Sequence, residues 1–312
     1  MATINGTERN DFLFGTDEGD FMHGREGHDE LRGGGGNDTI HGGEGNDTLA
    51  GDDWGAPGEL GDDLLIGGQG NDWFAWIAGN DTMLGGDGDD SFFLWWAGGS
   101  FDDVVVAGGE GVDLLEFIGA APVTAHLGEG TLSTTFQGVP ATISLQSIED
   151  FSSRIDSDVN VTGSAADNRL ETGNGNDTLN GGEGRDFLWG SSQNDLYVFD
   201  VAPGEANADF VLFEKYTTEI HGFEEADRIA LDNDVMDALG AEGDFSADDE
   251  RFYAAAGATA GAEEDDRVIY DTASGNLYYD VDGSGAAEAR IIATLSIGGM
   301  PADLAASDIT VI

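Results

Sequence analysis

The residues best equipped for chemistry are aspartates on a fixed spacing. Asp11, Asp20, Asp29, Asp38 and Asp47 recur every nine residues, and Gly6, Gly15, Gly24, Gly33, Gly42 and Gly51 keep the same period. The clearest copies read GGGGNDTIH from Gly33 and GGEGNDTLA from Gly42. Glycine turns tightly without a Cβ penalty and lets backbone carbonyls aim inward. An aspartate adds a carboxylate to those carbonyls. The donor set is oxygen only, which suits a hard cation such as Ca²⁺ that takes six to eight oxygens.

The elements that position these oxygens follow from the rest of the period. Two residues after each aspartate stands an apolar side chain: Leu13, Met22, Leu31, Ile40 and Leu49. This reads as a short strand whose middle residue points inward. A fixed short period means a solenoid, and G-G-x-G-x-D-x-U-x is the repeat of a calcium-binding parallel β-roll. One nonapeptide makes a turn and a strand, so two complete one coil. Turns eighteen residues apart then stack on one edge, about 4.8 Å apart. After Asp47 the ladder breaks at an insertion over 52–59 and resumes with Asp63, Asp72, Asp81 and Asp90, the best copies being GGQGNDWFA and GGDGDDSFF. The copy WIAGNDTML lacks its first two glycines. GGEGVDLLEF carries a further nonapeptide with Asp113 and Leu115. The repeats return from Gly163, with Asn168, Asp177, Asp186 and Asp195 at the ligand position. In the last copy Ser191, Ser192 and Gln193 replace turn residues, which reads as a weak site or a cap.

On these motifs the chain resembles the RTX, or repeat-in-toxin, family of calcium-binding bacterial exoproteins. The resemblance implies several calcium ions, each between stacked turns. The implied pairs are Asp11 with Asp29, Asp29 with Asp47, Asp20 with Asp38, Asp63 with Asp81 and Asp72 with Asp90. It implies metal ligands at Asp11, Asp20, Asp29, Asp38, Asp47, Asp63, Asp72, Asp81, Asp90, Asp177, Asp186 and Asp195. The turn glycines of the metal sites are Gly33, Gly34, Gly36, Gly42, Gly43, Gly45, Gly67, Gly68, Gly70, Gly85, Gly86, Gly88, Gly181, Gly182 and Gly184. From Asp200 onward the chain resembles the C-terminal domain that follows RTX blocks in type I-secreted proteins, serralysin-like ones included. The residues carrying this are GFEEADRIAL, DDRVIYDTASGNLYYDVDGSG, IIATL and the terminal DITVI, which looks like an uncleaved export signal.

The fold class expected is all-β: a parallel β-roll or β-helix solenoid with calcium-binding turns, followed by a β-rich secretion domain. Residues 1–117 form the first roll block, 118–160 a wider β-helix-like spacer without calcium loops, 161–200 a second block and 201–312 the C-terminal domain. In the last, RVIYD and NLYYD flank a TASGN turn and predict a hairpin, while VMDALG predicts a short helix ending on glycine.

Composition sets further bounds. Lys plus Arg is 11 against 63 Asp plus Glu, a formal charge of −52. Nucleic acid and anionic membranes need a basic face and are not expected partners. There is no cysteine, so rigidity must come from metal rather than disulfides. No apolar run approaches the ~20 residues that span a bilayer. The N-terminus MATINGTERNDF lacks a basic and then apolar segment, so it does not read as a cleavable signal. The expected location is extracellular, and the expected partners are calcium ions, the type I secretion machinery and a polysaccharide or cell-surface matrix.

Other features carry weaker chemistry. His23 and His41 are eighteen residues apart and should stack on an outer face, but two imidazoles fall short of the four ligands of structural zinc. Asp280, Asp282, Gly283 and Gly285 resemble the start of an EF-hand loop, yet Ile291 stands where its closing glutamate belongs. Trp73, Trp76, Phe93, Trp95, Trp96 and Phe101 make an aromatic stretch that suits either burial or sugar stacking. No H-E-x-x-H, G-x-S-x-G or cysteine nucleophile is present, and His126 and His221 stand isolated, so a non-catalytic protein is expected.

Overall fold

The computed structural model describes residues 1–52, 61–76, 78–95, 103–119, 121–136, 139–204, 209–213, 227–297 and 299–312. Residues 53–59 of the expected insertion, Trp96, Phe101, His221 and residues 222–226 of the GFEEADRIAL motif lie outside them. The protein is all-β: strands and two 3₁₀ turns account for its regular elements, with no α-helix among the described residues. It divides into two compact units, Met1–Ile155 and Asp156–Ile312.

The first unit is a parallel roll built of two sheets. One sheet runs through Thr3–Asn5, Phe21–Glu26, Thr39–Glu44, Leu64–Gln69, Thr82–Asp87 and Val104–Glu110. The other runs through Phe12–Phe14, Glu30–Gly34, Thr48–Asp52, Trp73–Trp76, Ser91–Trp95, Leu114–Ile118 and Asp150–Ser153. Successive nonapeptides alternate between the sheets, so partners are two repeats apart: Met22 lies beside Ile40 and Leu31 beside Leu49. Met22, Leu31, Ile40, Leu49, Leu65, Phe74, Met83, Phe92 and Leu115 are all fully buried. A strand residue two places past each aspartate points into the roll, and burying each such side chain contributes about 1.5–3 kcal/mol.

The spacer departs from simple widening of the roll. Val139–Gln146 continues the first sheet parallel to Val104–Glu110, then Thr131–Phe136 and Val123–His126 are added antiparallel. These strands lack the glycine-aspartate turn that forces a coil to advance, and a tight turn at Leu127–Gly130 reverses the chain instead, with Gly130 at φ +71°. The run ATISLQSIEDF is split at Ser147, φ +48°, so its halves enter different sheets.

The second unit starts with the same coil. One sheet holds Val159–Thr162, Thr178–Asn180, Leu196–Phe199, Arg228–Leu231 and Ile309–Val311 in parallel. The other holds Arg169–Glu171, Phe187–Trp189, Asp209–Phe213 and Arg290–Ile297 in parallel. Val268–Asp271 and Asn276–Tyr279 form the expected antiparallel hairpin. The helix expected over VMDALG is a single 3₁₀ turn, Asp237–Leu239, stopped by Gly240 at φ +83°. The terminal DITVI supplies the strand Ile309–Val311 beside Arg228–Leu231.

Candidate metal centre

Each coil brings a turn aspartate under the backbone of the turn before it. The Asp11 N–H donates to Asp29 Oδ1 at 2.8 Å, and the same contact joins Asp20 to Asp38 and Asp29 to Asp47. It continues across the insertion, from Asp38 to Asp63 and from Asp47 to Asp72. Beyond it Asp63 donates to Asp81, Asp72 to Asp90 and Asp90 to Asp113. In the second unit Asn168 donates to Asp186 and Asp177 to Asp195. The expected stacked pairs are therefore brought together. They form two carboxylate ladders in the first unit, one along each edge of the roll.

One oxygen of each carboxylate is spent on that contact. The other is what matters chemically. Oδ2 of Asp29, Asp38, Asp47, Asp63, Asp72, Asp90, Asp113, Asp177 and Asp195 is buried and accepts no hydrogen bond among the described residues. Each of these aspartates is at most 3% exposed. A buried polar atom without a partner is costly and calls for an explanation, an ion being one. The oxygen faces the first glycine of its own turn. A Cβ on Gly33, Gly42, Gly67, Gly85 or Gly181 would fall on the Oδ2 of the aspartate five residues later, and on Gly42 also within 2.7 Å of the Gly67 carbonyl. Carboxylate and carbonyl oxygens thus converge where a side chain is missing.

The second and third glycines set the turn's backbone. Gly34, Gly43, Gly68, Gly86 and Gly182, and Gly36, Gly45, Gly70, Gly88 and Gly184, all have positive φ. At Gly43, φ +128°, any Cβ would also strike the carbonyl of Arg25 in the preceding coil. In the copy that lacks its first two glycines, Asp81 is still buried and Gly79 has φ +99°.

Three turns are closed differently. Asp11 Oδ2 accepts the N–H and hydroxyl of Thr7. Asp20 Oδ2 accepts the N–H and hydroxyl of Thr16, and Asn168 Oδ1 accepts both from Ser164. The electrostatics follow this division. Hydrogen bonds, first from the Ala2 N–H and then from Thr16, hold Asp20 below the usual carboxylate range. Burial pushes the others up: Asp38, Asp90, Asp113 and Asp177 to about 6, Asp63 and Asp72 to about 7, Asp81 and Asp195 to about 8. The neighbouring carboxylate of the same ladder adds to the effect at Asp72 and Asp81. Such turns hold either protons or a cation.

A family comparison matches the RTX calcium-binding nonapeptide repeat over residues 3–31, 23–53, 58–75, 78–95 and 162–197. The chain carries RTX calcium-binding nonapeptide repeats. RTX nonapeptides bind Ca²⁺, and the buried, repeated aspartates with bare oxygens fit that ion; calcium is the cofactor of this chain. A comparison with curated proteins finds no match.

Four acidic residues of the ladders were not among the expected ligands. Asp113 carries the full motif GGEGVD and sits as the other aspartates do. Glu149 accepts the Asp113 N–H at 3.0 Å and ends one ladder, and Asp227 accepts the Asp195 N–H at 2.9 Å. The signal for Asp227 is the D-x-U step into Arg228–Leu231, thirty-two residues after Asp195. Asp52, buried beside the ladder, stands where the repeat has its second glycine and had no signal in the spacing.

The remaining features resolve as follows. His23 and His41 are in register with ring centroids 5.9 Å apart, a surface stack of two imidazoles. Asp280 accepts the N–H groups of Gly261, Asp282 and Gly283, so its carboxylate closes a loop of the backbone. Trp76 is buried, while Trp73 is 39% and Trp95 43% exposed.

Proposed function

We propose that this chain is a secreted, non-catalytic RTX protein whose roll folds as its turns take up extracellular calcium, and which serves a structural or adhesive role at the cell surface or matrix. The observation that carries the reading is the series of buried, unpartnered Oδ2 atoms facing glycine carbonyls across stacked turns. The ligands we assign are the ladder aspartates and the carbonyls of the turn glycines. Calcium supplies the positive charge that the turns lack. Without it, buried like charges about one strand spacing apart repel and oppose closure of the coil. With it, binding free energy becomes folding free energy. A chain that stays open at low calcium suits export unfolded, and its resemblance to type I-secreted proteins over 200–312 supports that route, with DITVI as the signal. Circular dichroism of chelated full-length protein titrated with Ca²⁺ tests this. A cooperative gain of β signal at millimolar calcium or below is expected, and an unchanged spectrum overturns it.

A second reading is calcium-dependent binding of a polysaccharide. Trp73 stacks on Phe93 with centroids 5.8 Å apart, and Trp95 is exposed on the following strand of that sheet. Outward aromatic rings on a flat sheet can stack on sugars. Retention of calcium-loaded protein on bacterial and algal polysaccharides, lost in a Trp73→Ala, Trp95→Ala variant, would favour it; no retention on any polymer would remove it.

A further inference from the structure

The insertion opens with an acid where the other turns open with glycine. Gly51–Asp52 occupies the place of Gly33–Gly34 and Gly42–Gly43. Asp52 ends the strand Thr48–Asp52, is 4% exposed, and accepts the Gly61 N–H on Oδ1 at 3.2 Å. Asp63 and Asp81 are each 3% exposed. One oxygen from each of these three carboxylates lies within 4.8 Å of the others. Asp63 is fixed by two contacts, accepting the Asp38 N–H on Oδ1 and donating its own N–H to Asp81 Oδ1, both at 2.8 Å. Its Oδ2 is buried, without a partner among the described residues, and lies where a Cβ on Gly51 would stand, directly beside Asp52.

Along the rest of the ladders two stacked turns bring two carboxylates to each step. Here there are three. We propose that Asp52, Asp63 and Asp81 hold one calcium-class divalent cation in a three-carboxylate site, which binds more tightly than the other turns and is the last to empty on chelation. The inference rests on the calcium reading above and adds to it a rank among the sites. The three side-chain donors are all carboxylate oxygens, which selects a hard cation over zinc or copper. The three carboxylates are at most 4% exposed, which disfavours Mg²⁺, an ion that keeps several of its waters. Affinity in oxygen-ligand sites rises with the number of ligand charges, so the third carboxylate sets the order of filling. It also makes the empty site the costliest of the ladder to bury.

The protein carries its own reporter. Trp76 donates from Nε1 to the Gly79 carbonyl at 3.3 Å, and Gly79 packs against Asp81, whose Oδ1 is 2.9 Å from where a glycine Cβ would stand. Terbium, a calcium substitute, bound at Asp81 would be excited through that ring. Chelated full-length protein would be titrated with Tb³⁺ under tryptophan excitation, in parallel with Trp76→Phe and Asp52→Asn. The first equivalent should give sensitised emission that is lost in Trp76→Phe. Asp52→Asn should weaken that first equivalent about tenfold or more while later equivalents bind as before. Overturning results are an Asp52→Asn protein, folded in calcium by circular dichroism, that takes its first equivalent with unchanged affinity, or a Trp76→Phe protein whose first equivalent emits as before. Should Asp52→Asn fail to fold, the wild-type and Trp76→Phe pair decides alone. The calcium reading fails separately, if the unaltered protein neither binds Ca²⁺ nor gains β signal with it.

Discussion

In the first unit, the turns at Thr7 and Thr16 and those led by Gly24, Gly33, Gly42, Gly67, Gly85 and Gly108 share a strand and an aspartate, yet they close by opposite means. In the first two, a threonine follows the leading glycine and caps its own aspartate with an N–H and a hydroxyl. In the later ones the same place holds a residue with positive φ, Gly34, Gly43, Gly68, Gly86 or Gly109, and the aspartate's Oδ2 is left bare. Arg25 shows that a side chain at that place does not by itself close the turn: it takes φ +92° and Asp29 keeps a bare oxygen. In these turns a positive φ at that place goes with a bare oxygen, whereas a threonine there supplies the closing hydrogen bonds. On the proposed reading, the threonine turns should form without metal and the glycine turns should not, so a roll that opens at low calcium and closes at high calcium would use the second kind over most of its length.

The largest effect that would break this comparison is the loss of calcium itself. In chelator, amide exchange of the strands Phe21–Glu26 through Leu114–Ile118 should rise toward unfolded rates, because each coil depends on the turns at its ends. Protection that survives chelation across these strands would mean that the bare oxygens cost little. Next in size is Asp72→Asn. It should weaken calcium at its turn about tenfold through lost ligand charge. The chelated form should gain on the order of 1–3 kcal/mol, the penalty of an unsatisfied buried group, read as a shift in urea midpoint. Asp11→Asn, at a threonine-closed turn, should move either quantity far less, within about 0.5 kcal/mol in stability. Equal responses at the two positions would dissolve the distinction.

The pH dependence should invert with calcium. Burial raises Asp63 to about 7 and Asp81 to about 8, against 3.8 when exposed. Between 3.8 and those values the metal-free folded roll binds more protons than the unfolded chain, so its stability rises as pH falls from 8 toward 4. The calcium-loaded roll should weaken over the same interval, since protons compete for the ligand oxygens. Melting curves with chelator and with calcium should therefore slope in opposite directions; parallel slopes would mean that these carboxylates are not where the ion sits.

Much of this was legible in the sequence because a nine-residue period fixes three things at once: which side chain is inside, which residue turns and which oxygen faces the next coil. The alternation of the two sheets and the stacked pairs from Asp11 to Asp90 follow from it. What the period could not carry is what breaks it. The antiparallel strands between Val123 and Gln146 depend on tertiary pairing that alternating β-branched residues do not specify. Asp52 sits at a glycine position, where the spacing gives no reason to look for a ligand. The closure by Thr7 and Thr16 was hidden for a different reason: threonine at the second place reads as a small departure from the motif, while its effect is to supply two donors to the one oxygen a cation would use.

The two smallest effects would sharpen the comparison rather than break it. Arg25→Gly should stabilise the calcium-loaded roll by about 1 kcal/mol, since a non-glycine residue in that region of φ is strained by roughly that amount; no change in unfolding midpoint would mean the strain is relieved elsewhere. Thr16→Gly asks for more from the same logic. It removes the hydroxyl that caps Asp20 and admits the positive φ seen at Gly34 one coil later. The turn should then pass from the self-closed to the bare class, at the cost of a side-chain hydrogen bond of about 0.5–1.5 kcal/mol. Equilibrium dialysis should find one more calcium ion per chain than in the unaltered protein, held weakly because Asp20 lies near the first coil and has few carbonyls stacked above it. An unchanged ion count would show that the dihedral alone does not make the site, and that the glycine turns need the carbonyls of coils on both sides.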